Sequence, residues 1–231
     1  MRRFHRQQAL PENQENAFNL SISDLMAGLL SVFILVVCYF MLNLGQVKDQ
    51  YTGNMEMRDD MLDEIKMELD RQGTTVKVDK KQGVLRIEGD FLFNTGEAHV
   101  KDSGRRDILN LAHVLYQVLE KDKYKNAIET IFIEGHTDNV DIETPEFPSN
   151  WELSTQRAIN TWKLMYQDQE ASPLDKERNV NGEPIFSCSG YADTRPVTEN
   201  DTEEGRQANR RIALRFTMMP PADDSKEGEK K

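Results

Sequence analysis

Residues 130–140 read TIFIEGHTDNV, a short apolar run (Thr130 to Gly135) that breaks into the polar EGHTDNV of Glu134 to Val140. An apolar run of that length ending in polar residues reads as a buried strand that delivers His136, Thr137 and Asp138 to its tip. Upstream, ILNLAHVLYQVL from Ile108 has helical periodicity, and TVKVD, KQG and VLRIEG read as a strand hairpin around a glycine-containing turn. Downstream, 151–166 places apolar residues at Leu153, Ala158, Ile159, Trp162 and Leu164 to Tyr166, the spacing of a helix. Ile185 to Gly190 and Ile212 to Phe216 supply two more strands, with a helix over Thr202 to Asn209 between them. Alternating strands and helices imply an α+β layer fold over 75–219. The tail PPADDSKEGEKK, 220–231, has no apolar pattern and is expected to be disordered.

The 231 residues carry a net charge of -11. That balance argues against nucleic acid as a partner, because a phosphate binder needs a clustered basic face. Cys38 and Cys188 lie far apart in different kinds of sequence, which excludes a disulfide framework or a multi-cysteine metal site. Cys188 is expected to pack within the strand FSCSGY.

From Leu25 to Leu44 the chain reads LMAGLLSVFILVVCYFMLNL, twenty residues without a charge. As a helix they span roughly 30 Å, one bilayer crossing. The run is too long and bulky for a cleaved signal peptide, so a transmembrane helix over 21–45 is expected to stay as an anchor in the lipid bilayer. Arg2, Arg3 and Arg6 precede it and only Lys48 follows closely. The positive-inside bias therefore puts 1–20 in the cytoplasm and everything after about residue 45 in the periplasm. Asp24 directly precedes the run and has two readings. It is a helix N-cap at the interface, or, because Ala17, Phe18, Leu20 and Ile22 extend the apolar character upstream, an intramembrane carboxylate on an ion pathway.

Between the membrane run and the α+β domain, 46–74 reads as a helical linker. Tyr51, Met55, Leu62, Ile65 and Leu69 approximate a narrow apolar stripe, interrupted by Gly53, Asn54 and Arg58. Such a stripe suits either a two-chain coiled coil or a solvated stalk.

Four segments occur in order: FLFNTGEA (91–98), EGHTDNV (134–140), NWELSTQRA (150–158) and ANRRIALRF (208–216). Together they resemble the OmpA-like peptidoglycan-binding family over roughly 75–217. The resemblance implies helices on a mixed sheet, with a groove for the diaminopimelate of a peptidoglycan stem peptide. It implies further that Asp138 pairs with the ligand's ammonium and Arg157 grips its carboxylate. Asn150, Trp151, Leu153 and Ser154 would shape the same pocket wall, and Asn209 and Arg210 match the family's final motif, while Arg211 is expected to face water in the last strand. A zwitterion needs one anion and one cation held apart on a rigid frame, and arginine supplies a bidentate fork.

An enzyme or metal site is not expected. His136 stands near Asp138, but His5, His99 and His113 show no paired ligand spacing, and no GxSxG nucleophile motif occurs. No cofactor is implied.

SDLMAGLLSVFIL (23–35) resembles the single helix of MotB-type stator subunits, whose aspartate carries the ion. Only about thirty residues separate membrane run and domain, a compact plan that resembles the B subunits of Zorya anti-phage defence systems. That likeness implies a homodimer within a ring of five MotA-like ZorA subunits, with protons crossing at Asp24. Sodium is the lesser alternative, since Ser21, Ser23 and Ser31 offer only common hydroxyls. A flagellar stator subunit and a passive cell-wall tether remain the competing readings.

Overall fold

A computed structural model describes residues 12–168 and 171–220, with main chain alone for 12–21. Arg2, Arg3 and Arg6, on which the expected orientation rests, and residues 221–231 of the expected disordered tail lie outside the described residues. The elements are α1 (Glu12–Arg71), β1 (Lys77–Asp79), β2 (Val84–Glu88), α2 (Gly89–Leu92), α3 (Asp102–Leu119), β3 (Ile128–His136), α4 (Asn150–Met165), a 3-10 turn (Leu174–Lys176), β4 (Phe186–Gly190), α5 (Glu203–Asn209) and β5 (Arg211–Met218). They fall into two compact units, Met1–Gln50 and Tyr51–Lys231.

In the first unit α1 is long and apolar enough to cross a membrane. Its large apolar side chains from Leu25 to Leu44 are exposed almost throughout. Asp24 is helical and exposed, twelve positions after Glu12 begins the helix. An N-cap must flank a helix, so the capping reading of Asp24 fails and an acidic residue at the edge of an apolar helix run stands in its place. Ser31 donates its hydroxyl to Ala27 O at 2.8 Å, a bond internal to the helix.

The second unit is a five-stranded mixed sheet in the order β1-β2-β5-β3-β4. The pairs β1–β2, β2–β5 and β5–β3 are antiparallel, whereas β3–β4 is parallel, with α4 in the crossover. The β1–β2 turn closes at Gly83, whose φ of +66° sits in the left-handed region that glycine enters without steric cost. Strand alternation sends Leu85, Ile87, Ile131, Ile133, Ile212, Leu214 and Phe216 into one core with the apolar faces of α3 and α4. Arg86, Glu134, Arg211 and Arg215 take the alternate positions and point to the other side of the sheet.

The expected linker, 46–74, does not stay outside the domain. Met61, Leu62, Ile65 and Leu69 of α1 are fully buried in the same core. Tyr51 and Met55 remain exposed at 54% and 52%. The stripe expected to serve a stalk or coiled coil therefore covers this chain's own core along its C-terminal half. Each such side chain contributes roughly 1.5–3 kcal/mol by burial.

A close approach sets α4 on the sheet. Gly135 of β3 and Gly190 of β4 are register partners. A Cβ at Gly135 would lie 1.9 Å from Ser154 O, and one at Gly190 would lie 2.1 Å from Thr155 Oγ1. Only glycine lets the first half of α4 come this near, and that half carries Asn150, Leu153 and Arg157.

Candidate functional site

A cavity of about 220 Å³ opens where the tip of β3, the 94–98 loop, the first half of α4 and the α5–β5 corner converge. Asp138, Asn150, Leu153, Arg157 and Arg210 all line it, so five of the residues singled out from the sequence meet in one place.

Asp138, just past β3, is 7% exposed. Its Oδ1 accepts from Val140 N at 3.1 Å, and its Oδ2 accepts from Arg210 Nη1 at 2.6 Å. Arg210 also donates from Nε and Nη2 to Asp90 at 2.6 and 2.5 Å, and from Nη2 to Glu203 at 2.7 Å. The bonds to Asp90, then to Asp138 and Glu203, hold the Arg210 pKa above its ordinary value. Arg206 reaches Glu203 as well, at 2.8 Å. Three carboxylates thus outnumber the two guanidiniums that touch them, which leaves this ion-pair cluster anionic.

Arg157 faces the same cavity from α4 and is 5% exposed. Its Nε donates to Glu97 O at 2.8 Å and its Nη2 to Asn94 O at 3.0 Å, while its guanidinium lies 4.9 Å from the centre of the Phe93 ring. No carboxylate forms an ion pair with it among the described residues. Burial pushes its pKa down to about 10, so it remains a cation at neutral pH. Asn160, one turn further along α4, donates to Ala98 O at 2.8 Å. Arg157 and Asn160 together strap the 94–98 loop to the helix.

Local sequence explains why α4 starts where it does. Ser149 is its N-cap, with Oγ accepting from Trp151 N at 3.2 Å, and Glu152 stands at the third helical position of a capping box. Asn150 donates to Val140 O at 2.9 Å and so fixes the turn that carries Asp138. Leu153 packs with Ala98, Phe147 and Ile142 in a small second apolar cluster beside the cavity.

Two expected wall residues, Ser154 and Trp151, and Asn209 of the final motif do not line the cavity. Ser154 is fully buried; it donates to Trp151 O and accepts from Ala192 N at 3.1 Å, so it fastens α4 to the loop after β4. Asn209 is fully buried too and holds the 197–200 loop through Val197 N, Thr198 O and Asn200 Oδ1. Trp151 is half exposed on the outer side of the first turn of α4. Conversely, Glu203 joins the lining and Asp90 holds Arg210 without any sequence signal beyond their charge.

His136 is buried, stacked on Tyr191 at 5.5 Å and 3.6 Å from Glu134. Desolvation lowers its pKa despite the nearby carboxylate, which makes it a neutral structural residue. Among the described residues no group of three or more His, Cys, Asp or Glu side chains could hold a metal ion. Cys188 packs against the core, and burial pushes its thiol up to about 11, away from reactivity.

Known proteins share this plan. Motility protein B of Bacillus subtilis is 34% identical over 131 residues, 57% of this chain and 43% of that protein. Zorya protein ZorB of Escherichia coli is 24% identical over 215 residues, 88% of this chain and 89% of ZorB. A solved structure described as MotB-like, from Desulfovibrio vulgaris, superposes with a TM-score of 0.54 at 20% identity, covering 73% of this chain and 98% of that one; the likeness is one of fold. The chain spans half or less of the length of the first curated relatives it matches. A model of the OmpA family matches residues 92–210, just over half of the chain and the whole stretch from α2 to the Arg210 corner, so the chain belongs to the OmpA family.

Proposed function

We propose that the chain is a non-enzymatic subunit that anchors an inner-membrane, stator-like assembly to peptidoglycan. The observation that carries this reading is the cavity in which Asp138 and Glu203, joined through Arg210 to Asp90 outside the lining, stand opposite the buried Arg157, which pairs with no carboxylate among the described residues. A diaminopimelate end carries an ammonium and a carboxylate on one carbon. Asp138 would accept from the first, and Arg157 would donate to the second. The residues act by binding alone, since among the described residues no nucleophile or general base lines the cavity with a partner to activate it.

In the finer reading the chain is the B-type subunit of a proton-driven motor in anti-phage defence, two copies acting within a ring of five MotA-like ZorA subunits. Support comes from the likeness to ZorB, whose 88% share of this chain exceeds what residues 51–231 contain and so extends into the membrane helix. Asp24 inside that helix is the group that would take and release the proton. A single helix encloses no pore, so the partner must supply the rest of the path. Each charge crossing the membrane potential releases about 2.3 kcal/mol per 100 mV, several times thermal energy. With the N-terminus in the cytoplasm and the second unit in the periplasm, wall binding would keep the B subunits still while the ring turns.

Cosedimentation of the full chain, in detergent, with purified peptidoglycan tests the anchor. Wild type is expected to pellet with the wall, and Asp138→Asn and Arg157→Gln are each expected to lose at least tenfold in retention while keeping a cooperative unfolding transition. Undiminished retention by both folded variants would overturn the assignment.

A further inference from the structure

A second cavity, of about 520 Å³, shares no residue with the first and lies on the face of the sheet away from the core. Arg86, Arg195, Arg211 and Arg215 line it, with Asp79 and Gln82. The register explains the cluster. Arg86 of β2 pairs with Ala213 of β5, so Arg211 and Arg215 flank it two residues to either side on the same face. Ala213 forms a small floor between three long cationic side chains.

The acceptors at this site fall short of the donors. Arg215 is matched by Glu134, with Nε and Nη2 at 2.8 and 2.9 Å from its two oxygens. Arg86 reaches Asp79 at 2.8 Å and Gln82 at 2.7 Å through Nη2 alone, and its buried Nε has no acceptor. Arg195, half exposed, lies over the Tyr191 ring at 3.7 Å and 3.9 Å from Glu134. Arg211 is only 6% exposed and pairs with no carboxylate among the described residues; its Nη1 and Nη2 donate to the carbonyls of Asn209 and Arg195, and its Nε is unmatched. Four guanidiniums therefore face two carboxylates. Burial, then Arg86 and Arg215, push Arg211 down to about 10, which leaves it charged at neutral pH.

We infer that this arginine cluster is a phosphate-binding site, independent of the peptidoglycan cavity. A buried unpaired charge is costly, and an incoming oxyanion offsets that cost through its own charge. A tetrahedral phosphate suits the geometry better than a planar carboxylate, because the guanidiniums come from β2, β5 and the loop after β4, and so from several directions. The same chemistry serves free phosphate, a phosphomonoester or a phosphodiester headgroup.

Calorimetric titration of the full detergent-solubilised chain with inorganic phosphate, at ionic strength fixed by chloride, tests the site. Saturable binding is expected, weakened at least tenfold in Arg211→Met and in the half-exposed Arg195→Gln, whose fold should be unaffected. Peptidoglycan cosedimentation of Arg195→Gln is expected to match wild type. Dimethyl phosphate then separates the sources: weaker binding than inorganic phosphate assigns a free or monoester phosphate, and equal or tighter binding assigns a diester headgroup. Wild-type heats indistinguishable from those of chloride, or undiminished affinity in Arg195→Gln, would overturn the inference.

Discussion

Arg210 Nη1 lies 2.6 Å from Asp138 Oδ2, so the carboxylate at the tip of β3 already holds a guanidinium before any ligand arrives. Arg210 fixes where Asp138 points and keeps three carboxylates from repelling one another. Arg210→Gln is therefore expected to weaken peptidoglycan retention about as much as Asp138→Asn does. It should also lower unfolding stability in urea by about 1–3 kcal/mol, the range for losing charge-assisted bonds at a partly buried site. Unchanged retention would mean that Asp138 is oriented by Val140 N alone.

Gly135→Ala is expected to be among the costliest single-methyl changes in the domain. The added Cβ meets Ser154 O, a backbone atom, at 1.9 Å, and α4 must move off the sheet. Overpacking of this kind costs about 1–3 kcal/mol or more. Because α4 carries Arg157, retention on peptidoglycan should fall along with the urea midpoint. The exposed Gly182 has no neighbour that a Cβ would strike and, at φ +78°, serves as a control for backbone strain alone.

The helix before β1 separates into two classes of apolar residue. Leu62→Ala and Leu69→Ala should each cost about 2–5 kcal/mol, whereas Met55→Ala, at an exposed position, should cost under about 0.5 kcal/mol. A fragment beginning at Thr75 is expected to fail to give a cooperative transition that a fragment beginning at Tyr51 retains. Equal stabilities of the two fragments would show that α1 contributes nothing to the core.

Glu134 gives the domain an acid limb. Burial acts to raise its pKa, but His136 and the bidentate Arg215 outweigh it and hold the carboxyl at about 2, against an ordinary value of 4.5. A depressed folded value means that the contribution is complete above about pH 5 and is lost as pH falls from 4.5 toward 2, roughly 3 kcal/mol in all. His136 acts in the same direction from higher pH. Its folded value lies below 6.5, so the unfolded chain binds the extra proton and stability falls as pH drops through that region. Urea midpoints between pH 7 and 3 should decline more steeply for wild type than for Glu134→Gln.

Asp24→Asn, compared with wild type at matched membrane expression in cells carrying the whole native operon, is expected to abolish protection in a phage plating assay. Full protection by the variant would remove Asp24 from the ion path. Absence of protection by wild type itself would favour a flagellar or tethering role.

Periodicity made the domain's main elements legible. The β1–β2 hairpin, β3, β4 and β5, and the helices α3 and α4 fall where apolar spacing and turn residues put them, and α5 lies in the polar stretch expected to be helical between the last two strands. The four-residue α2 is too short to carry a period. Tyr51 to Leu69 reads as one stripe, yet only its second half is buried, because spacing reveals an apolar face and not what covers it. At the site, Asp138 and Arg157 stand out through their motifs. Asp90 and Glu203 have no motif of their own and are brought together by Arg210, which is 120 residues from one and seven from the other. Ser154 and Asn209 err in the opposite sense: a polar residue in a binding motif looks ligand-facing, whereas the bonds of these two close within the fold, on main chain and, for Asn209, on Asn200 Oδ1 as well.

The straps on the 94–98 loop fasten to carbonyl oxygens of Asn94, Glu97 and Ala98, groups that every residue possesses. Shape at this rim of the cavity thereby rests largely on main chain. Gly96, at φ +72°, demands glycine, Ala98 packs with Leu153, and the side chains of Asn94 and Glu97 bond each other at 2.9 Å. Thr95, which lines the cavity, is thus the position at which such a domain could acquire a new wall chemistry without losing its grip on the old one.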